Sequence, residues 1–171
     1  MFNTNTFHGV DGVLTLADSP DTPPESGSPI ETYLADQSGV VGRVLNVGVS
    51  VRTEVKPFHE IGKRIATELR AGNINVSGTV ERAFVNGAML RLLLGRYADE
   101  EETNAFPMPR FNMILSMDNQ RGEEGAGSSK LTVFNVLFDN WQFQMPEDDF
   151  VLEQVGFRAR RVTLEDTEVA A

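Results

Sequence analysis

The sequence predicts a mainly β fold: an antiparallel β-sandwich or barrel of about six strands, with one flanking α-helix and long loops. Two runs of alternating apolar and polar residues favour strands, because successive strand side chains point to opposite faces. Turn signals throughout, without alternating strand and helix patterns, favour antiparallel pairing over a parallel sheet. The apolar members are Val47, Val49, Val51 and Val55 in the first run, and Ile74, Val76 and Val80 in the second.

The remaining strands follow from the same alternation. Pro57 is expected to end or bend the first run because it lacks a backbone N–H, and Gly72-Asn73 is expected to form a turn before the second. Residues 62–70 between them predict a turn or a short helix. The predicted strands cover residues 10–16, 43–56, 73–81, 111–117, 131–138 (continuing over 143–145) and 150–164.

One amphipathic helix is predicted between residues 84 and 95. Asn86 is suited to cap its start, and Gly95 is suited to close its end in a left-handed conformation. Spacings of three and four place four apolar side chains on one face, which should pack on a sheet. These are Met89, Leu90, Leu93 and Leu94.

The 171 residues predict a single domain with long irregular segments. Residues 17–39 contain four prolines among small polar residues, so a flexible arm is expected there. A segment of that length has a function or is a tolerated surface insertion. Residues 119–129 predict a flexible hairpin loop, and residues 165–171 predict a frayed tail.

Composition excludes several classes of function. The net charge of −10 argues against an attractive nucleic-acid surface, which needs clustered Lys and Arg; an acidic balance is also ordinary for a soluble protein. With no cysteine, disulfides, zinc-thiolate sites and thiol nucleophiles are excluded. No apolar run approaches a membrane span, and the first seven residues lack the basic and apolar regions of a secretory signal. A reducing cytosol is therefore compatible with this chain.

No catalytic, metal-binding or cofactor motif is present, so a non-enzymatic protein is expected. His8 and His59 are far apart in sequence, and no nucleophile elbow occurs. Residues 122–129 resemble a phosphate-binding loop, but Ser128 occupies the lysine position. Residues 147–149, Glu-Asp-Asp, lack the spacing of a calcium loop and predict a solvated turn.

The order of these elements resembles the tail tube proteins of long-tailed bacteriophages and phage-like particles, in particular those of contractile tails. The likeness begins with Gly-Val-Asp-Gly-Val-Leu-Thr-Leu at residues 9–16 and includes Gly-Lys-Arg at 62–64. It covers most of the chain by pattern, and the proline-rich arm departs from the shortest members. The other matching stretches are residues 44–55, 73–82, 86–95, 131–139 and 151–161.

This resemblance implies a small β-sandwich that closes into six-membered rings, which stack into a hollow tube. An exposed strand edge is an aggregation hazard unless it is paired, and pairing with neighbouring copies around a ring satisfies it. The wet sheet face would then line the lumen without apolar anchors for a passing polymer. The lumen-lining residues implied are Ser50, Arg52, Glu54, Asn75, Ser77, Thr79 and Glu81.

The resemblance also implies contacts and partners. The arm and the loop at 119–129 are expected to become ordered on contact with the next ring; the inter-ring residues named are Asp21, Pro23, Pro24, Glu25 and Pro29. Implied partners are other copies of the chain and the tail sheath, baseplate or initiator, tape measure and tail terminator proteins. DNA would pass through the lumen without specific binding, and no membrane or cofactor is implied. Such a subunit is assembled in the bacterial host cytoplasm and resides in the virion tail.

Other functions fit the same sequence. One is the inner tube of a contractile injection particle that delivers protein cargo, and another is a connector or terminator ring. A monomeric sandwich that binds carbohydrate needs a solvent-facing aromatic platform, for which Trp141 with Phe143 is the candidate; Trp141 is expected in the core. A hydrolase is the third rival, without a motif to support it.

Overall fold

The structure, a computed structural model, describes residues 7–21, 40–98, 108–118 and 127–167. Seven strands and one α-helix lie within these ranges, with 3-10 turns at Gly9–Asp11 and Gly95–Ala98. The elements are β1 (Gly12–Asp18), β2 (Val44–Phe58), β3 (Glu68–Ala83), α1 (Ala88–Leu94), β4 (Phe111–Asp118), β5 (Ser128–Gln144), β6 (Leu152–Ala159) and β7 (Arg161–Thr167).

The strands form a curled antiparallel sheet that makes a half-barrel, in the order β1-β4-β5-β6-β3-β2, with β7 also paired to β5. Strand β5 belongs to two sheets. Its first half pairs with β4 and β7, and its second half pairs with β6. We call β1, β4, the first half of β5 and β7 the first sheet, and the second half of β5 with β6, β3 and β2 the second sheet. The predicted mainly β, antiparallel fold with one helix is confirmed.

Asn135 forms the corner at which β5 passes from one sheet to the other. Its φ is +53°, a left-handed conformation that asparagine tolerates better than most residues. The corner is held from three sides: Asn112 Oδ1 accepts from the Asn135 backbone N–H at 3.1 Å, Ser19 Oγ hydrogen-bonds to Asn135 Oδ1, and Asn135 Nδ2 donates to Asp21. One polar residue therefore sets the bend of the half-barrel.

The same corner corrects the predicted last strand. Residues 150–164 were expected to form one strand, but the chain bends at Arg160, whose N–H donates to Phe134 O. Strands β6 and β7 follow the bend of β5, so each pairs with a different half of it. The tail predicted from Glu165 is also wrong in its start, because β7 continues to Thr167 opposite Ser128; residues 168–171 lie outside the described residues.

The β2–β3 hairpin is longer than predicted. Pro57 does not end β2, which continues to Phe58, and β2 is an edge strand, where a missing N–H is tolerated. Residues 68–70 open β3 rather than closing a turn. The Gly72-Asn73 signal marks a β-bulge, since Thr53 pairs with Ile74 while Val55 pairs with Ala71.

Helix α1 is shorter than predicted and buries a different face. It covers Ala88–Leu94, and Asn86 Oδ1 still accepts from the Ala88 N–H at 3.2 Å. Gly95 closes it at φ +58° and ψ −131°, which is not the predicted left-handed helical conformation but another positive-φ conformation open to glycine. The side chains buried most deeply are Met89 and Leu92, whereas Leu90, Leu93 and Leu94 are only partly buried. The side of the helix that packs against β5 therefore includes Met89, as predicted, but is turned towards Leu92, which was not predicted to be buried.

The first long segment begins later, and the second ends earlier, than the composition indicates. Strand β1 runs to Asp18, so the first two residues of the predicted arm are strand, and Ser19 is buried against the corner. Ser128 and Ser129 belong to β5 rather than to the predicted loop. The rest of that loop, and residues 22–39 of the arm, lie outside the described residues.

The core lies inside the half-barrel and depends on one glycine. A Cβ on Gly78 would lie 2.4 Å from Phe157 Cζ and 2.1 Å from Gly48 O, distances that real side chains do not reach. Glycine at this position lets the Phe157 ring cross β3. The buried apolar residues are Leu14, Leu16, Val41, Val76, Val80, Met89, Leu92, Phe111, Met113, Val133, Val136, Phe138, Val155 and Phe157.

An ion pair lies beside this core. Arg82 and Glu153 face each other across β3 and β6, are 2% and 1% exposed, and are bonded through Arg82 Nε and Glu153 Oε1. Trp141 Nε1 donates to the second carboxylate oxygen at 3.0 Å, and Arg82 Nη2 donates to Asn86 O and Oδ1. The pair was not predicted. The sequence carried one indication of it: the alternation of side chains along β3 and β6 places Arg82 and Glu153 at inward positions.

Candidate functional site

The polar residues of β2 and β3 share one face of the second sheet. Ser50 pairs with Ser77, Arg52 pairs with Asn75, and Gly48 pairs with Thr79. Residues opposite each other in an antiparallel ladder project to the same side, so these side chains form one surface. We call this surface, with its continuation onto β6 and β5, the polar face.

All seven residues predicted to line a lumen lie on the polar face. Glu81 pairs with Asn46. Glu54 lies opposite the bulge, where its Cβ is 3.3 Å from the Cβ position of Gly72. Six of the seven side chains are exposed, and Glu81 is partly buried.

The polar face is wider than the seven residues. Gln154 pairs with Glu81 and Arg158 with Ser77, which extends the face onto β6; Gln142 pairs with Gln154 and Asn140 with Gly156, which extends it onto β5. Asn140 and Gln142 were not predicted to belong to this face, because a bulge between Phe138 and Asn140 interrupts the alternation of side chains along β5. Four adjacent strands thus present a continuous hydrophilic surface.

Charges on the polar face are balanced. Arg52, Lys56, Arg70 and Arg158 are accompanied by Glu54, Glu68, Glu81 and Asp139, and Arg158 Nε lies 3.1 Å from Asp139 Oδ2. Hydroxyl, amide and glycine residues lie between them. Such a surface binds a passing polymer weakly, since it has neither a basic stripe nor a large apolar anchor at its centre.

The hairpin projects beyond the rest of the second sheet. The pairing of β3 with β6 ends at Val76, so residues 53–75 form a two-stranded ribbon. We call this ribbon the projecting hairpin.

One side of the hairpin carries an exposed apolar strip on the face opposite the polar face. By register its members share that side: Val55, Leu69 and Ile74 on the hairpin and Val51 just before it, which are 52–67% exposed. Within the described residues nothing covers this strip, and contiguous exposed apolar surface of this kind marks an interaction site.

The second sheet has two open edges. Strand β2 pairs only with β3, and residues 137–144 of β5 pair only with β6 among the described residues. Each edge presents unpaired backbone N–H and C=O groups that can template another strand. The two edges lie on opposite sides of one sheet, an arrangement that allows a sheet to continue from copy to copy.

Of the five predicted inter-ring residues, the structure describes only Asp21. Asp21 accepts from Asn135 Nδ2 at 2.5 Å and lies 3.6 Å from Arg160 Nη1, so the start of the arm is fixed at the corner of β5. Pro23, Pro24, Glu25 and Pro29 lie outside the described residues.

Features expected of other functions are weak. Trp141 is partly buried, stacks on Phe143 with ring centroids 5.7 Å apart and donates a hydrogen bond to Glu153, so its packing is that of a core residue.

His8 accepts from the Val10 N–H in a 3-10 turn, and His59 is exposed. Within residues 7–21, 40–98, 108–118 and 127–167, no group of three His, Cys, Asp or Glu is placed to hold a metal ion. In the same ranges, no helix has the length and apolarity to cross a bilayer.

Solved structures with the same architecture come from tail assemblies. A chain in the anti-feeding prophage baseplate aligns over 100% of both chains with a TM-score of 0.61 and 16% identity. A chain in the sheath–tube complex of the PVC extracellular contractile injection system aligns over 96% of this chain and 94% of its own, with a TM-score of 0.61 and 10% identity. The SPP1 tail tube aligns over 95% and 81%, with a TM-score of 0.55 and 12% identity.

The chain has the tail-tube fold. The resemblance drawn from the order of the sequence elements is thereby confirmed at the level of the fold. No protein-family model and no curated protein sequence matches the chain. The structural neighbours are components of phage tails and contractile injection systems rather than enzymes, which fits a non-enzymatic role.

Proposed function

We propose that this chain is the subunit of a tail tube, forming rings that stack into a hollow conduit lined by the polar face. The observation that supports this most is the two-sidedness of the second sheet. One side of the same strands is hydrophilic and wet, while the other side is core near β6 and exposed apolar surface along the projecting hairpin. A monomer gains nothing from that strip, whereas an assembly buries it.

Ring closure follows from the two open edges. Strand β2 of one copy pairs with residues 137–144 of the next, which continues the second sheet around an axis and removes both open edges of that sheet when the ring closes. The projecting hairpin then places its apolar strip on the adjacent copy. Six copies is the number implied by the likeness to tail tubes.

In the closed ring the polar face points to the axis. Its small polar residues and balanced charges let a polyanion slide without adhering, so the conduit suits passage of a DNA genome from virion to host. The tube acts with a sheath, a baseplate or initiator, a tape measure and a terminator, in a virion tail assembled in the host cytoplasm. The arm beyond Asp21 contributes inter-ring contacts through Pro23, Pro24, Glu25 and Pro29.

A second candidate is the inner tube of a contractile injection particle that delivers protein. It is favoured by the baseplate and sheath–tube neighbours, whose TM-scores exceed that of the phage tail tube. A single connector or terminator ring uses the same surfaces but does not stack.

Electron microscopy of negatively stained purified protein tests the proposed function. We expect rings, and rods with an axial channel at raised protein concentration. Single rings that never stack would support a connector or terminator. Monodisperse monomers at every concentration would contradict both the tube and the single ring, and would favour the monomeric sandwich binding module.

A further inference from the structure

The most exposed large apolar side chains lie at the two ends of the second sheet. Ile61 is fully exposed and Ile65 is 84% exposed at one end, and Phe150 and Met145 are 78% and 73% exposed at the other. These are four of the five most exposed large apolar residues that the structure describes, and the fifth is Val10. Exposed apolar surface of this kind marks a site that a partner covers.

The two isoleucines belong to the turn of the projecting hairpin, residues 59–67, which we call the hairpin tip. The Thr67 N–H donates to Phe58 O at 2.9 Å and closes this turn. Because the backbone of the tip is already fixed, little conformational entropy is lost when a partner covers it.

The hairpin tip carries an excess of positive charge in a protein of net charge −10. Lys63 and Arg64 are accompanied by one acid, Glu60. Lys63 Nζ lies 2.5 Å from Glu60 Oε2 in an exposed pair, whereas Arg64 makes no ion pair within the described residues. The tip therefore offers two isoleucines and a guanidinium group to a partner that is both apolar and acidic.

The other end of the sheet has that character. Residues 145–150 join β5 to β6, and their sequence is Met-Pro-Glu-Asp-Asp-Phe. Beside this connection the rings of Phe84 and Phe143 pack edge to face, with centroids 5.1 Å apart, and both rings remain exposed. We call residues 145–150 together with Phe84 and Phe143 the aromatic pole.

The aromatic pole contains three acids and no base. Glu147, Asp148 and Asp149 are exposed. Within the described residues the first two make no ion pair, and Asp149 accepts only from the Phe150 N–H at 2.7 Å. Most of the surface of an acidic protein repels such a pole, whereas the hairpin tip matches it in charge and in apolar character.

A hairpin tip cannot reach the aromatic pole of its own chain. Strand β3 begins beside the tip at Glu68 and ends beside the pole at Ala83, where the next residue, Phe84, donates its N–H to Val151 O at 2.8 Å. The 16 residues of β3 separate the two surfaces by about 50 Å. In the proposed ring the sheet continues edge to edge around the axis, so its strands run along the axis and the two surfaces lie on opposite faces of the ring.

We infer that the hairpin tip of one copy docks on the aromatic pole of a copy in the next ring. Such a contact joins two different surfaces, so it does not close on itself and repeats as a filament. The inference rests on the proposed function and adds a stacking contact to those proposed for the arm. Lateral closure uses the two open edges and the apolar strip, so ring formation and stacking can fail separately.

Charge reversal tests the inference. A Lys63→Glu/Arg64→Glu variant makes the tip acidic, and an Asp148→Lys/Asp149→Lys variant makes the pole basic. Each variant alone brings like charges together, so each should form rings but need at least about tenfold more protein than the wild type to form rods. A chain with all four substitutions should form rods at close to the wild-type concentration, because its acidic tip meets a basic pole. Electron microscopy and sedimentation measure rings and rods.

The apolar part of the contact is tested by an Ile61→Ser/Ile65→Ser variant. Both side chains are exposed, so the circular dichroism of the subunit should not change. Rods should again need at least about tenfold more protein, since burial of the two isoleucines no longer contributes. The control exchanges two charges across β5 and β7, as a Lys130→Glu/Glu165→Lys variant, and should stack normally.

The possible failures separate the inference from the proposed function. Rods from any of the three double variants of the tip or the pole at the wild-type concentration, or no recovery in the chain with all four charge reversals, would overturn the inference alone. Loss of rings in one of those double variants would place the contact within a ring and also overturn it. Wild-type rings that never stack would have the same meaning. No rings from the wild-type protein would remove the proposed function, and the docking inference with it.

Discussion

A Val55→Lys/Leu69→Lys variant is expected to remain a folded monomer and to lose ring formation. Both side chains lie on the apolar strip of the projecting hairpin and are 56% and 67% exposed, so little of the core depends on them. Burying each against a neighbouring copy contributes about 1.5–3 kcal/mol, and two together correspond to a roughly 10²–10⁴-fold weaker association. Sedimentation velocity measures the loss, and circular dichroism measures the retained fold.

The matched control places the same two charges on the opposite side of the same strands. A Ser50→Lys/Thr79→Lys variant changes only the polar face, which has no protein partner in the assembly. It should form rings at close to the wild-type concentration. Rings from the hairpin variant, or loss of rings from the control, would contradict the assignment of the two sides.

A Glu153→Ala substitution should destabilise the subunit by about 3–5 kcal/mol, the largest loss we expect from a single substitution of a polar residue. It leaves the Arg82 guanidinium buried without a counter-charge and removes the acceptor of the Trp141 N–H. Urea unfolding followed by Trp141 fluorescence measures the change, since this is the only tryptophan.

Two comparison variants separate charge from packing. Glu165→Ala, at an exposed site on β7, should change the free energy of unfolding by no more than about 0.5 kcal/mol. An Arg82→Met/Glu153→Leu variant removes both charges and should recover most of the loss. A Glu153→Ala protein as stable as the Glu165→Ala protein would show that water reaches Arg82 and that the pair is not isolated.

The sequence predicted the fold class and the polar face because both depend on alternation, which is a local property. Ser50, Arg52, Asn75 and Ser77 share a face as soon as β2 and β3 pair in register, and valines on the other side fix that register. The helix was found for the same reason, although its buried side was displaced towards Leu92.

Features that depend on distant partners were not predicted. The bend at Asn135 needs Ser19 and Asn112, and the split between β6 and β7 follows from that bend. Gly72-Asn73 has the composition of a turn, and only the pairing of Thr53 and Val55 shows that it is a bulge. The Arg82–Glu153 pair was not predicted although both residues lie at inward positions, because charged side chains are rarely fully buried.

Size-selective labelling of assembled rods tests most directly whether the polar face borders a bore. The chain has no cysteine, so a Ser77→Cys variant on the polar face and a Glu165→Cys variant on β7 each carry one thiol. We expect small maleimides to label both, and a bulky polyethylene-glycol maleimide to label only the β7 site once rods have formed. Equal labelling of both sites by the bulky reagent in intact rods would contradict the account.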